Sequence, residues 1–119
     1  MPIMKRFASP DDSNDGYTFW CPGCREIHAV WTKGRLAWAF NGNEEKPTFT
    51  PSLLLDSYNY EPPVTYENYK EFEQNPWPQQ KVRRICHSYI IDGNIVFLGD
   101  CTHGLAGQTV PLPDMPGRD

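Results

Sequence analysis

The stretch CHSYIIDGNIVFLGDCTH, residues 86–103, decides how the chain is read. Branched and aromatic residues flank Asp92-Gly93, and Asp-Gly supplies the positive φ angles of a two-residue hairpin turn. With that turn, Ile91 faces Asn94, Ser88 faces Phe97, Cys86 faces Gly99 and Arg84 faces Cys101. Side chains alternate along a strand, so Cys86 and Cys101 share one face as diagonal neighbours, roughly 7 Å apart at the backbone. Gly99 between them leaves space for an ion, and His87 points to the opposite face with Ile85 and Tyr89. A three-residue turn would shift the register by one and bring Cys101 to the His87 face.

Far upstream lies a second pair, Cys21-Pro-Gly-Cys24. Pro and Gly between two cysteines suit a tight knuckle whose backbone N–H groups point at thiolates, the usual first half of a zinc site. A redox dithiol instead needs a helix starting at the first cysteine to lower its pKa, and Arg25-Glu-Ile-His-Ala-Val-Trp31 has the pattern of a strand. Two sulfurs from the knuckle and two from the hairpin predict a closed tetrahedral site of Cys21, Cys24, Cys86 and Cys101, with Zn–S distances of about 2.3 Å. Zinc follows from the softness of the ligands. His28 and His103, each close to a cysteine, are reserve ligands.

The rest of the chain supplies the frame. Its 119 residues suit one domain with a modest core, and twelve Pro break it into short pieces. Tyr17–Trp20, Glu26–Trp31 and Arg35–Phe40 read as consecutive strands of an antiparallel meander. Residues 1–15 carry turn-forming polar residues and read as a flexible arm. Residues 16–114 form a single zinc-binding β domain, with 56–84 a surface excursion in which Tyr66–Gln74 forms a short helix. Residues 115–119 are a tail. The expected fold is therefore mainly β: a small antiparallel, zinc-stabilised β-sheet domain with a zinc knuckle, a β-hairpin and at most one or two short helices.

Charge and hydropathy narrow the function. The net charge is −4, and no run of Lys or Arg exceeds the pair at Arg83-Arg84, so a nucleic-acid partner is not expected. Apolar runs such as Ile95–Leu98 are too short to cross a bilayer, and residues 1–10 lack the apolar block of a signal peptide. These features predict a cytoplasmic protein without a membrane partner, where thiolates favour metal over disulfides.

Three segments, FWCPGCREIHAVW, FNGNEEKPTFTPSLLL and the hairpin continued to Asp114, resemble a small family of phage and prophage genomes whose members often carry the label ammonia monooxygenase. The chain is also distantly similar to the BubE-type peptidase-like proteins of bacterial ubiquitin-like conjugation operons. Those proteins pair a Cys-rich knuckle with a Pro-Ser motif and a Cys-x-Ser-His strand. The resemblance puts the knuckle at Cys21 and Cys24, the Pro-Ser at Pro51-Ser52 and the strand at Cys86 and Ser88. It implies serine-type cleavage of a ubiquitin-like protein tail. The chain departs at Tyr89, where the relatives have His, and His87 lies two residues away on the same strand face.

An enzyme of this kind needs a nucleophile within reach of a base. Ser52, at a strand entrance beside Pro51, is the candidate nucleophile and His87 the candidate base. His103 or Asp100 orients the base or completes the site, and the zinc is structural. Two other functions fit the same residues. One is a non-enzymatic zinc-ribbon-like module that binds a protein partner through the aromatic residues of the excursion, Tyr58, Tyr60, Tyr66, Tyr69, Phe72 and Trp77. The other is a zinc hydrolase whose metal is held by cysteines and one of His28, His87 or His103, with a bound water.

Overall fold

The computed structural model describes residues 2–8, 15–35 and 37–116. Two antiparallel sheets face each other. In the first, β1 (Met4–Ala8), β2 (Asp15–Cys21) and β3 (Glu26–Trp31) follow in chain order. The second has β4 (Ala39–Phe40), β5 (Phe49–Glu61), β6 (Gln80–Ile91), β7 (Asn94–Phe97) and β8 (Thr109–Pro111), also in chain order. A single short helix, α1 (Tyr69–Gln74), lies between β5 and β6, and Pro76 and Pro78 follow it. The expected mainly β fold is the observed one. Among the described residues, no helix is long and apolar enough to cross a membrane.

Strand alternation explains how the sheets meet. Tyr17, Phe19 and Cys21 of β2 are buried, while Cys86, Ser88 and Ile90 of β6 and Ile95 and Phe97 of β7 answer them from the second sheet. Phe49 joins from β5, with its ring stacked on Phe40 at 4.8 Å between centroids and tilted against Tyr17 at 6.4 Å. These residues form one apolar cluster, to which Cys21, Cys86 and Cys101 contribute. The Tyr17 hydroxyl donates to Glu44 at 2.6 Å, and burial followed by that carboxylate raises its pKa.

The hairpin forms through Asp92-Gly93, both with positive φ (49° and 82°). Ile91 pairs with Asn94 and Ser88 with Phe97, the expected register. Beyond Phe97 the structure differs from expectation. Leu98 N–H donates to His87 O, but the next bond joins Thr102 N–H to Ile85 O, each at 2.9 Å. Two residues of β6, from Ile85 to His87, are thus spanned by four on the partner segment, and Gly99-Asp100 are extruded as a turn. Arg84 therefore does not face Cys101, and Gly99 is exposed in the turn, with open space around it, not beside an ion site.

Other segments carry more structure than their composition suggests. Met4–Ala8, within the stretch read as a flexible arm, pair with β2, and Met4 is buried. Residues 1 and 9–14 of that arm lie outside the described residues. Among the described residues of the third expected strand, Ala39–Phe40 form a strand, and it joins the second sheet. The 56–84 excursion is largely strand: β5 and β6 stay paired from Asp56↔Ile85 out to Glu61↔Gln80, so it is a two-stranded ribbon with α1 at its tip. In the expected tail, Met115 N–H donates to Pro2 O at 2.8 Å, and residues 117–119 lie outside the described residues.

The core predicts a sharp contrast. Phe19→Ala, which empties a fully buried site, costs about 3–5 kcal/mol in urea denaturation. Tyr66→Ala on the ribbon tip, where the side chain is 88% exposed, changes stability by less than about 0.5 kcal/mol.

Candidate active site and metal centre

β6 carries residues of two different clusters on its two faces. On the inner face, Cys86 comes to 3.9 Å from Cys21, sulfur to sulfur, joining the end of β2 to the second sheet. The knuckle is closed by Cys24 N–H donating to Cys21 Sγ at 3.4 Å and Arg25 N–H donating to Cys21 O at 2.8 Å. Arg25 sits at φ 57°, the left-handed turn that sends the chain back into β3. His28 pairs across the sheet with Phe19 and so shares its inward face with Cys21.

The ligand atoms of Cys21, Cys24, His28 and Cys86 all lie within 4.8 Å of one another. A second group, Cys86, Cys101 and His103, meets the same limit. These groups can hold a metal ion. His28 is thus the residue grouped with the knuckle and Cys86, while Cys101 is grouped with Cys86 and His103 and accepts from the His87 main-chain N–H at 3.2 Å.

The chemistry of the donors fits a cation. Hydrogen bonding from Cys86 pulls the Cys21 thiol down to about 4, with His28 and the Cys24 N–H adding to the effect and burial opposing it. The same bond, then burial, pushes Cys86 up, and burial raises Cys24. A divalent ion is what allows the sulfurs to ionise together. Nε2 of His28 and Nε2 of His103 are both buried without a hydrogen-bond partner at standard geometry. His28 Nδ1 faces Glu26 at 4.0 Å, the carboxylate-behind-histidine arrangement common around metals. Glu26 also pairs with Arg84.

His103 has a different chemistry. Leu105 N–H donates to its Nδ1 at 3.2 Å, so the ring proton sits on Nε2 and His103 offers a donor rather than a lone pair. The ring packs edge-on against Phe97, at 4.5 Å between centroids, and lies over Gly23 in the knuckle.

On the outer face of β6, His87 Nε2 lies 3.0 Å from Ser52 Oγ, and His87 Nδ1 lies 3.1 Å from Asp100 Oδ2. The geometry follows from the pairing. Leu54 faces His87 directly, so Ser52, two residues earlier on β5, is its diagonal neighbour. An irregular register between Phe49 and Leu53 turns Ser52 toward His87. Asp100 arrives from the other side because the turn at Gly99-Asp100 is extruded over β6. The carboxylate that meets His87 is therefore Asp100, and His103, the other sequence candidate, belongs to the cysteine cluster. Hydroxyl, imidazole and carboxylate follow one another in the order that these groups have in a catalytic triad.

The model of the family described as bacterial ubiquitination-like system serine protease (BubE) matches residues 3–98. The chain belongs to this family. The matched region contains Ser52 and His87 and ends just before Asp100. No curated protein and no solved structure matches the chain.

Ser52, His87 and Asp100 were all visible in the sequence as candidates. Strand alternation carries the signal that brings His28 to the knuckle: with Cys21 ending one strand and Cys24 just ahead of the next, an inward residue near the start of the second strand returns to it.

A Cβ at Gly23 would overlap the His103 ring. Gly23→Ala should therefore lower stability by about 1–3 kcal/mol, measured by thermal or urea unfolding, because the ring is held between the knuckle and Phe97.

Proposed function

We propose that the protein is a serine-type peptidase in which Ser52, His87 and Asp100 act together, and that its cysteine and histidine cluster holds a structural zinc ion. The observation that carries the first part is the continuous contact from Ser52 Oγ through His87 to Asp100 on one exposed sheet face, together with the serine-protease description of the family. Asp100 accepts a hydrogen bond from His87 Nδ1–H, which leaves the Nε2 lone pair for Ser52. As Ser52 Oγ bonds to the substrate carbonyl, His87 Nε2 takes its proton. The scissile C–N bond then breaks, the leaving amine takes that proton, and the acyl group stays on Ser52. Water attacks the ester in the second half, giving a proton to His87; as the bond from the acyl carbon to Ser52 Oγ breaks, His87 returns that proton to Ser52 and the carboxylic acid is released. The tail of a ubiquitin-like protein is the proposed substrate, on the strength of the family description.

Zinc is favoured by the donor set of Cys21, Cys24, Cys86 and His28. Three sulfurs and an imidazole fill a tetrahedron and leave no position for a catalytic water. The ion would be held by both sheets, which fixes β6 and with it the direction of His87.

Ser52→Ala and His87→Ala should abolish labelling by a fluorophosphonate probe and hydrolysis of an activated ester. Asp100→Asn should slow hydrolysis by about 100- to 10,000-fold while the protein remains folded. Full labelling of Ser52→Ala would remove the serine from the mechanism. Elemental analysis should find one zinc per chain, lost in Cys86→Ser and His28→Ala and kept in His87→Ala. Retention in His28→Ala would return the fourth position to Cys101.

A further inference from the structure

β5 has a free edge beginning at the candidate nucleophile. Its partners are β6 along its length and β4 at Phe49 and Thr50 alone, so among the described residues the far edge is open from Ser52 to Glu61. The direction of its main-chain groups can be read from β6. The amide of His87 and its carbonyl turn away from β5, to Cys101 Sγ at 3.2 Å and to Leu98 N at 2.9 Å. Those of Ile85 do the same toward Thr102, at 3.0 and 2.9 Å. The pairs Leu54↔His87 and Asp56↔Ile85 are therefore the non-bonded pairs of the ladder, and Leu54 and Asp56 direct N–H and C=O to the open edge. Ser52 O points the same way and is already taken by Trp38 Nε1 at 3.3 Å.

A cleft of about 210 Å³ runs along this edge, between β5 and the free edge of β3. Leu53, Leu55, Phe19, Trp31 and Trp38 make its walls largely apolar. On its rim, Leu54 is 59% exposed.

We propose that the open edge of β5 is the substrate-binding strand: an extended polypeptide pairs antiparallel with Leu54 and Asp56 and places apolar side chains in the cleft. This rests on the reading of Ser52 as nucleophile. The antiparallel direction carries the substrate from Asp56 toward Ser52, so the residues on the acyl side of the scissile bond are the ones that pair. Trp38 and β4 close the edge at Ser52, which leaves no strand pairing for the leaving side. The substrate class is thus an extended, apolar segment near the C-terminal end of a polypeptide, recognised mainly through its backbone. The residue opposite Leu54 shares the outer face with His87, and its neighbours on either side turn into the cleft.

The test uses the Ser52→Ala protein and a fluorescein-labelled peptide in which Leu alternates with Thr and the last residue is Gly, followed by fluorescence anisotropy. Saturable binding is expected, and a single N-methyl group moved along the peptide should weaken it about tenfold at every second position, where N–H bonds to the edge are lost. Absence of binding, or sensitivity without alternation, would overturn the proposal. Fluorophosphonate labelling of the wild-type chain separates the two readings. Labelled Ser52 with no peptide binding would fail the strand alone, and alternating binding without labelling would fail the peptidase and leave the strand standing.

Discussion

The alternation of side chains along β6 is the constraint on which the rest of the site depends. One strand cannot send adjacent residues to the same face, so Cys86 and His87 are divided between the interior and the exterior. Cys86 meets the knuckle, while His87 meets Ser52 and Asp100. Neighbouring residues thereby serve both the contact between the two sheets and the cluster on the outer face. A domain with only a dozen buried apolar side chains in its central cluster has little other means of holding an imidazole in one orientation.

The sequence was legible where local chemistry determines geometry. Asp92-Gly93 admits a tight turn, and the turn sets the register of everything up to Phe97. The same register correctly put His87 opposite Cys86 in direction. Legibility ended at Gly99-Asp100, because an extrusion has no periodicity of its own: the residues on either side look like a continuing strand, and only the bonds from Leu98 and Thr102 reveal two extra residues. Asp100 could be named as a candidate, but its arrival at His87 follows from that extrusion.

The knuckle was readable for a related reason: Pro and Gly between two cysteines leave few alternatives. The remaining donors were harder, since they depend on how two sheets are stacked. The approach of β3 puts His28 with the knuckle and Cys86, and Cys101 lies against the His87 main chain in a group with Cys86 and His103. The pairing of Met4–Ala8 with β2 was hidden because a short edge strand with Lys5 and Arg6 exposed has too few apolar residues to stand out from a polar arm.

The ribbon formed by β5 and β6 has a mechanical meaning. Ser52 and His87 stand near its root, one on each strand, and the same two strands continue unbroken to Glu61 and Gln80. The ribbon is therefore a lever whose fulcrum lies at the Ser52–His87 contact. Twisting or clamping its far end slides one strand relative to the other, and a diagonal contact is the kind most sensitive to such shear. A molecule grasping the tip would thus have mechanical purchase on the alignment of hydroxyl and imidazole without coming near either.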